Sequence, residues 1–146
     1  MNRITYIKIA GKSYPMSFSL GASKKIVEKY GSAEKMKSSL AKAKDAEKID
    51  IVIDMMELLI SQGCAYKNYF EKDIPAPEDA PIVDGKWTAL PKEAMEIAIG
   101  IYDINDMADK IMECIGTGSN KEVEAKPDYD GENRVLGGKN MQATQE

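Results

Sequence analysis

Nine of the twelve residues from Ile49 to Ile60 are apolar, and they are too densely spaced to form a single stripe. Ile49, Ile51, Val52, Ile53, Met55, Met56, Leu58, Leu59 and Ile60 lie almost all the way round a helix, broken by Asp54 and Glu57. Such a helix is either the buried centre of a domain or a surface that docks onto a partner. Asp45, just upstream, is placed to act as its N-cap. At 146 residues the chain suits one domain that would be built around this segment.

The N-terminal segment has a different period. Ile7 and Ile9 precede a turn at Ala10, Gly11, Lys12 and Ser13, after which Tyr14, Met16 and Phe18 alternate with Ser13, Pro15 and Ser17. That period of two predicts a β-hairpin with its large apolar groups on one face. Pro15 cannot donate to a ladder, so its strand should be an edge or should turn that position to solvent. A lone hairpin is not stable in water, and helices are expected to cover it. Ser19 can cap a helix with Leu20, Ile26, Val27 and Tyr30 on one side and Gly31 as its stop. Ser32 can cap the next, with Glu34 in its first turn and Met36, Leu40 and Ala43 inward.

From Asp73 to Leu90 the composition changes, with Pro75, Pro77, Pro81, the Asp84-Gly85 pair and the only tryptophan, Trp87. This reads as a long loop, and Trp87 either anchors another chain or pins the loop to its own core. Pro91 suits the first position of a helix carrying Ala94, Ile97, Ile101, Ile104, Ala108, Ile111 and Ile115 at spacings of three and four. The expectation is one continuous heptad-like seam, ended by Gly116 and Gly118. The fold class expected is α+β and mostly helical: an N-terminal hairpin packed on four to five helices over residues 1–116. Residues 117–146, polar with scattered apolar groups, are expected to be a disordered tail.

The chain has no histidine, which removes the commonest general base, the commonest zinc ligand and the usual partner of a nucleophilic Ser or Cys. Cys64 and Cys114 form no CxxC pair and read as small buried apolar residues. Asp103, Asp106, Asp109 and Glu113 recur at helical spacing, but Met107 occupies a ligand position and the calcium-loop glycine is missing, so a solvated acidic face is expected. Gly116 to Lys121 follows a helix and lacks the GK[ST] ending of a phosphate cradle. A non-enzymatic protein without metal or cofactor is therefore expected. Charge is unevenly divided: residues 1–72 hold 13 Lys+Arg against 8 Asp+Glu, and residues 73–146 hold 7 against 16. The basic half is almost all lysine with no aromatic interleaving, so a solvated helical surface is favoured over a nucleic-acid site on residues 24–48. No basic leader runs into an apolar stretch, and no eighteen-residue uncharged apolar run occurs, so neither export nor a membrane span is expected.

One resemblance adds to this reading. The hairpin with Gly11-Lys12-Ser13-Tyr14, followed by Phe18, the Gly21-Ala22 pair and a helix stopping at Gly31, resembles the opening of tail assembly chaperones of long-tailed bacteriophages with Gram-positive hosts. The match is detailed over residues 4–31 and extends to the remainder only as layout. It implies a chaperone that binds and solubilises the apolar, helical tape measure protein while tail tube subunits polymerise around it. Such a protein acts in the host cytoplasm and is absent from the finished virion. The resemblance also implies a second, longer frameshifted product, for which the codons of Gly137-Gly138-Lys139-Asn140 are the candidate slippery site. The tail tube protein and a second copy of the chain are further candidate partners. Adaptable side chains suited to a varied helical partner are Met55, Met56, Met107 and Met112, with Trp87 as an anchor. The alternatives are a structural tail or head-tail connector subunit, and a small nucleic-acid-binding regulator.

Overall fold

The computed structural model describes residues 4–119. Strands β1 (Ile4–Ile9) and β2 (Lys12–Ser17) pair antiparallel, with Ile7 opposite Tyr14 and Thr5 opposite Met16. The turn is the two-residue Ala10-Gly11, with φ of 52° and 81°. Two positive φ angles give the backbone twist that matches a tight hairpin. Helices α1 (Leu20–Tyr30), α2 (Ala33–Lys42) and α3 (Asp45–Phe70) follow. A second small hairpin joins β3 (Ile82–Val83) to β4 (Lys86–Trp87) through Asp84-Gly85, also at positive φ. Helix α4 (Lys92–Ala98), a single 3-10 turn (Ile101–Asp103) and α5 (Ile104–Ser119) complete the order. The fold is α+β and mostly helical, with the N-terminal hairpin packed on helices.

The segment that opened the sequence reading is the centre of this core. Val52, Met55, Met56, Leu59 and Ile60 on α3 are almost wholly buried. Against them pack Met16 of β2, Ile26 of α1, Met36 of α2, Met95 of α4 and Ile111 and Ile115 of α5. Helix and hairpin meet closely at Gly63, where an added Cβ would lie 2.1 Å from the Pro15 carbonyl oxygen. Among the described residues β2 has only β1 as a ladder neighbour, so Pro15 does lie in an edge strand. Pro15 is nevertheless buried instead of facing solvent, because α3 lies against that part of the strand. A helix pressed there also shields the strand from adventitious pairing.

The caps at Ser19 and Ser32 form as their positions suggest. The Ala22 N–H donates to Ser19 Oγ and the Lys35 N–H to Ser32 Oγ, each at 3.0 Å. Gly31 ends α1 at φ 98°, its N–H on the Val27 carbonyl. Asp45 differs from expectation. It is the first residue of α3, at φ 56°, and no side chain caps this end. Aspartate tolerates that backbone region better than most residues, and its charge still favours the helix N-terminus.

Three further expectations are corrected. On α1 the inward side is Ala22 and Ile26 with Tyr30 half-buried, a spacing of four, while Leu20 and Val27 face solvent. The seam from Ala94 to Ile115 is not one helix. Gly100 turns the chain out at ψ 160°, its N–H bonds to Asp103 Oδ2 at 3.1 Å, and a new helix starts there. The missing side chain of Gly100 and the capping carboxylate three residues on together favour a break over a continuation. Pro91 accordingly stands just before α4, not at its first helical position. Finally, α5 runs through Gly116 and Gly118 to Ser119. Most of the tail expected at 117–146 lies outside the described residues.

Residues 73–90 are a loop held at several points. Ser13 donates its N–H to the Asp79 carbonyl at 2.9 Å and its hydroxyl to Asp79 Oδ2 at 2.7 Å. Asn68 of α3 grips β4 at both ends of one residue, accepting from Trp87 N–H and donating to the Trp87 carbonyl, both at 2.9 Å.

Candidate partner-binding groove

A groove of about 530 Å³ opens between α1, α3 and the segment Ala89–Leu90–Pro91. Its floor is apolar: Ile26 and Met55 are buried beneath it, and Leu58 and Leu90 are half-buried at its sides. Its rim is charged, with Lys25 and Lys29 on α1 and Asp54 and Glu57 on α3. An apolar trough with a rim of both signs suits an amphipathic helix laid along it. It is larger than the recesses of about 170 Å³ beside Ile99 and of about 270 Å³ beside Ile51.

Asp54 ties the walls together. Its carboxylate accepts from Lys29 of α1 at 2.5 Å and from Lys92 of α4 at 2.8 Å, and the Tyr30 hydroxyl donates to it at 3.3 Å. Burial works against its ionisation, but the hydrogen bonds and charges of the two lysines overcome that and hold the carboxyl below its usual range. Tyr30 is moved the opposite way, to about 12, by burial and then by the neighbouring Asp54 charge. It therefore remains a donor at any ordinary pH.

Of the residues singled out from sequence, the groove includes only Met55, as floor; its side chain is 1% exposed. Met56 is wholly buried in the core and offers no surface. Met107 and Met112 are half-buried on α5 and pack on the core. Trp87 is half-buried against the core, with Lys67 Nζ 5.3 Å from its ring centre, and it secures the loop. The groove residues that sequence reasoning missed are Ile26, Leu58, Leu90, Lys29 and Asp54 as a set. A signal was present on α3. Asp54, Glu57, Leu58 and Ser61 fall at i, i+3, i+4 and i+7, one helical face that interrupts the apolar run. The α1 and Leu90 sides of the groove come from distant parts of the chain and leave no local pattern.

Other apolar groups are exposed elsewhere. Tyr66, Tyr69 and Phe70 cluster near the end of α3, with ring centres 5.2 and 6.2 Å apart. Ile97, Ile101 and Tyr102 project from the α4 to α5 connection. Asp103, Asp106, Asp109 and Glu113 are all exposed. Among the described residues no group of three or more His, Cys, Asp or Glu is arranged to hold a metal ion. Among them, too, no helix is long and apolar enough to cross a membrane. No family model, no curated protein and no solved structure matches this chain.

Proposed function

We propose that this protein is a non-enzymatic tail assembly chaperone of a long-tailed bacteriophage, which holds apolar helical segments of the tape measure protein in solution during tail morphogenesis. The observation that carries the reading is the groove between α1 and α3, with Ile26 and Met55 as its apolar floor, Leu58 and Leu90 at its sides and charges of both signs on its rim. A tape measure protein presents long apolar helical seams, and a trough of this chemistry shelters such a seam without needing one fixed sequence. The hairpin-to-helix opening over residues 4–31 is a second, independent support. On this reading the protein acts in the host cytoplasm, neighbours the tail tube protein during polymerisation, and leaves before the virion is complete. Holding would be governed by binding equilibrium alone.

Co-expression with the tape measure protein tests it. The wild-type chain should raise that protein's soluble yield and co-purify with it. Leu58→Lys, placed in the groove wall but not in the innermost core, should remove most of the gain. An unchanged soluble yield with the wild-type chain sinks the proposal. Abundant peptides of this chain in purified virions would instead favour a structural tail subunit.

A further inference from the structure

The groove between α1 and α3 does not end at Asp54. The recess of about 270 Å³ beside Ile51 continues along the same side of α3, lined by Glu47, Asp50 and Ile51 with Ser39 of α2, and it shares Lys29 and Tyr30 with the groove. On α3 the lining positions Glu47, Asp50, Ile51, Asp54, Leu58 and Ser61 fall on one helical face, turn after turn. From Glu47 to Ser61 the chain advances about 21 Å, at about 1.5 Å per residue. Groove and recess together therefore form one trough, about four helical turns long.

The two halves of this trough differ in chemistry. The groove half has the apolar floor already described, whereas the recess half sets Ile51 among polar groups and carries two exposed carboxylates, Glu47 and Asp50. Among the described residues neither carboxylate forms an ion pair. In the middle, Asp54 is matched by Lys29 and Lys92, so that part of the rim is already neutralised. On the groove half Lys25 is exposed and likewise forms no ion pair among the described residues. α1 and α3 run antiparallel, since Ser19 meets Gln62 and Lys29 meets Asp54, and Lys25 therefore stands toward the Leu58–Ser61 end. Along the trough the unpaired charge is negative at one end and positive at the other.

We infer that the trough takes its helical partner in one direction: an amphipathic helix of about four turns whose basic N-terminal turns lie over Glu47 and Asp50, whose apolar stripe fills the groove, and whose C-terminal part brings an acidic residue to Lys25. The partner's own macrodipole acts in the same sense, since it places a partly positive N-terminus beside the two carboxylates. The bound helix then runs parallel to α3. The inference rests on the reading of the groove as a helix-binding site, and adds to it the partner's length, charge order and direction. Apolar burial supplies the hold, and the end charges select register and reject segments of the wrong charge order. Of the many apolar seams in a long helical protein, those preceded by basic residues and followed by an acidic one are the segments retained.

Fluorescence anisotropy of two labelled synthetic helices against the full chain tests it. Both peptides carry the same leucine stripe over about four turns and a glutamate near the C-terminus; one has lysines in its first two turns and the other has glutamates there. The lysine-first peptide should bind at least tenfold more tightly at low salt, and the difference should shrink as salt screens the exposed charges. Glu47→Lys with Asp50→Lys, both at exposed positions, should reverse the preference, and tight binding of the glutamate-first peptide by that variant also shows that it is folded. A nitroxide at the N-terminus of the lysine-first peptide should broaden the amide signals of Glu47 and Asp50 more than that of Ser61, which reports direction independently of affinity. Equal binding of the two peptides, or stronger broadening at Ser61, overturns the inference and leaves the groove standing as a helix-binding site. Binding of neither peptide overturns both.

Discussion

Single residues carry constraints that no pattern search would weight. Gly63 is one residue of a 26-residue helix, where glycine ordinarily lowers stability relative to alanine by about 0.5–1 kcal/mol. Here the absence of a Cβ lets α3 approach β2, since an added carbon would sit 2.1 Å from Pro15 O and 2.9 Å from Met16 N. Both obstacles are backbone, which does not rotate out of the way. Gly63→Ala should therefore destabilise the protein by about 3 kcal/mol, despite its better helix propensity. Urea denaturation read by circular dichroism measures this, and a stabilised variant would show that helix and hairpin are not so closely packed. The cysteines follow the same logic of burial. Both are nearly inaccessible, and burial raises each thiol to about 11. Native protein should react with a thiol reagent far more slowly than protein unfolded in urea, because the thiolate is the reactive form.

At the scale of elements, local capping chemistry was readable and element continuity was not. Ser19, Gly31 and Ser32 mark the α1 and α2 boundaries in the sequence and in the fold alike. Their effect is local, a side-chain oxygen meeting a backbone N–H three residues on. The isoleucine seam from Ala94 to Ile115 misled for the opposite reason. Its spacing fits a helix, but Gly100 and Asp103 favour a restart, and the core takes Met95 on one side of the break and Ile104 on the other. The long loop shows how one side chain can substitute for a ladder partner. Asn68 satisfies both the N–H and the carbonyl of Trp87, groups that would otherwise be half-buried without a partner. Asn68→Ala should cost about 1–3 kcal/mol and loosen β4. Because Trp87 is the only tryptophan, its fluorescence should shift to the red, and its amide should exchange faster with solvent. Unchanged emission and exchange would mean that the β3–β4 hairpin is held by other contacts.

Across the whole molecule, Asp54 is the point where three helices share one charge. Lys29 from α1 and Lys92 from α4 both meet it on α3, beside the groove. Its folded-state pKa is below the ordinary 3.8, so its ionised form contributes stability above that value. The contribution is lost as pH falls through the lowered folded value. Asp54→Asn should cost about 1 kcal/mol near neutrality, and the gap from the wild type should close at about pH 2. Urea midpoints at the two pH values measure this. A gap that persists in acid would assign the cost to packing and not to charge. Lys92, whose pKa is raised chiefly by its hydrogen bond to Asp54, acts in the same sense at the alkaline end: its share is full below the unfolded lysine value and fades as pH rises through the raised one.

The sequence by itself determined that the molecule is a hairpin followed by helices around one apolar segment, because periods of two and of about 3.6 and short-range caps act over a few residues. It also determined that charge is divided between the two halves. Only the tertiary structure decided which apolar residues are core and which are left exposed. Met55 and Leu58, three apart on α3, have similar chemistry; one is buried beneath the groove and the other stands at its side. Leu20 and Ile26 share α1, yet the first is in solvent and the second is buried. The groove exists because α1, α3 and Ala89–Leu90–Pro91 converge across a wide sequence separation, and hydrophobic burial, being non-directional, leaves no local sign of which surfaces will meet.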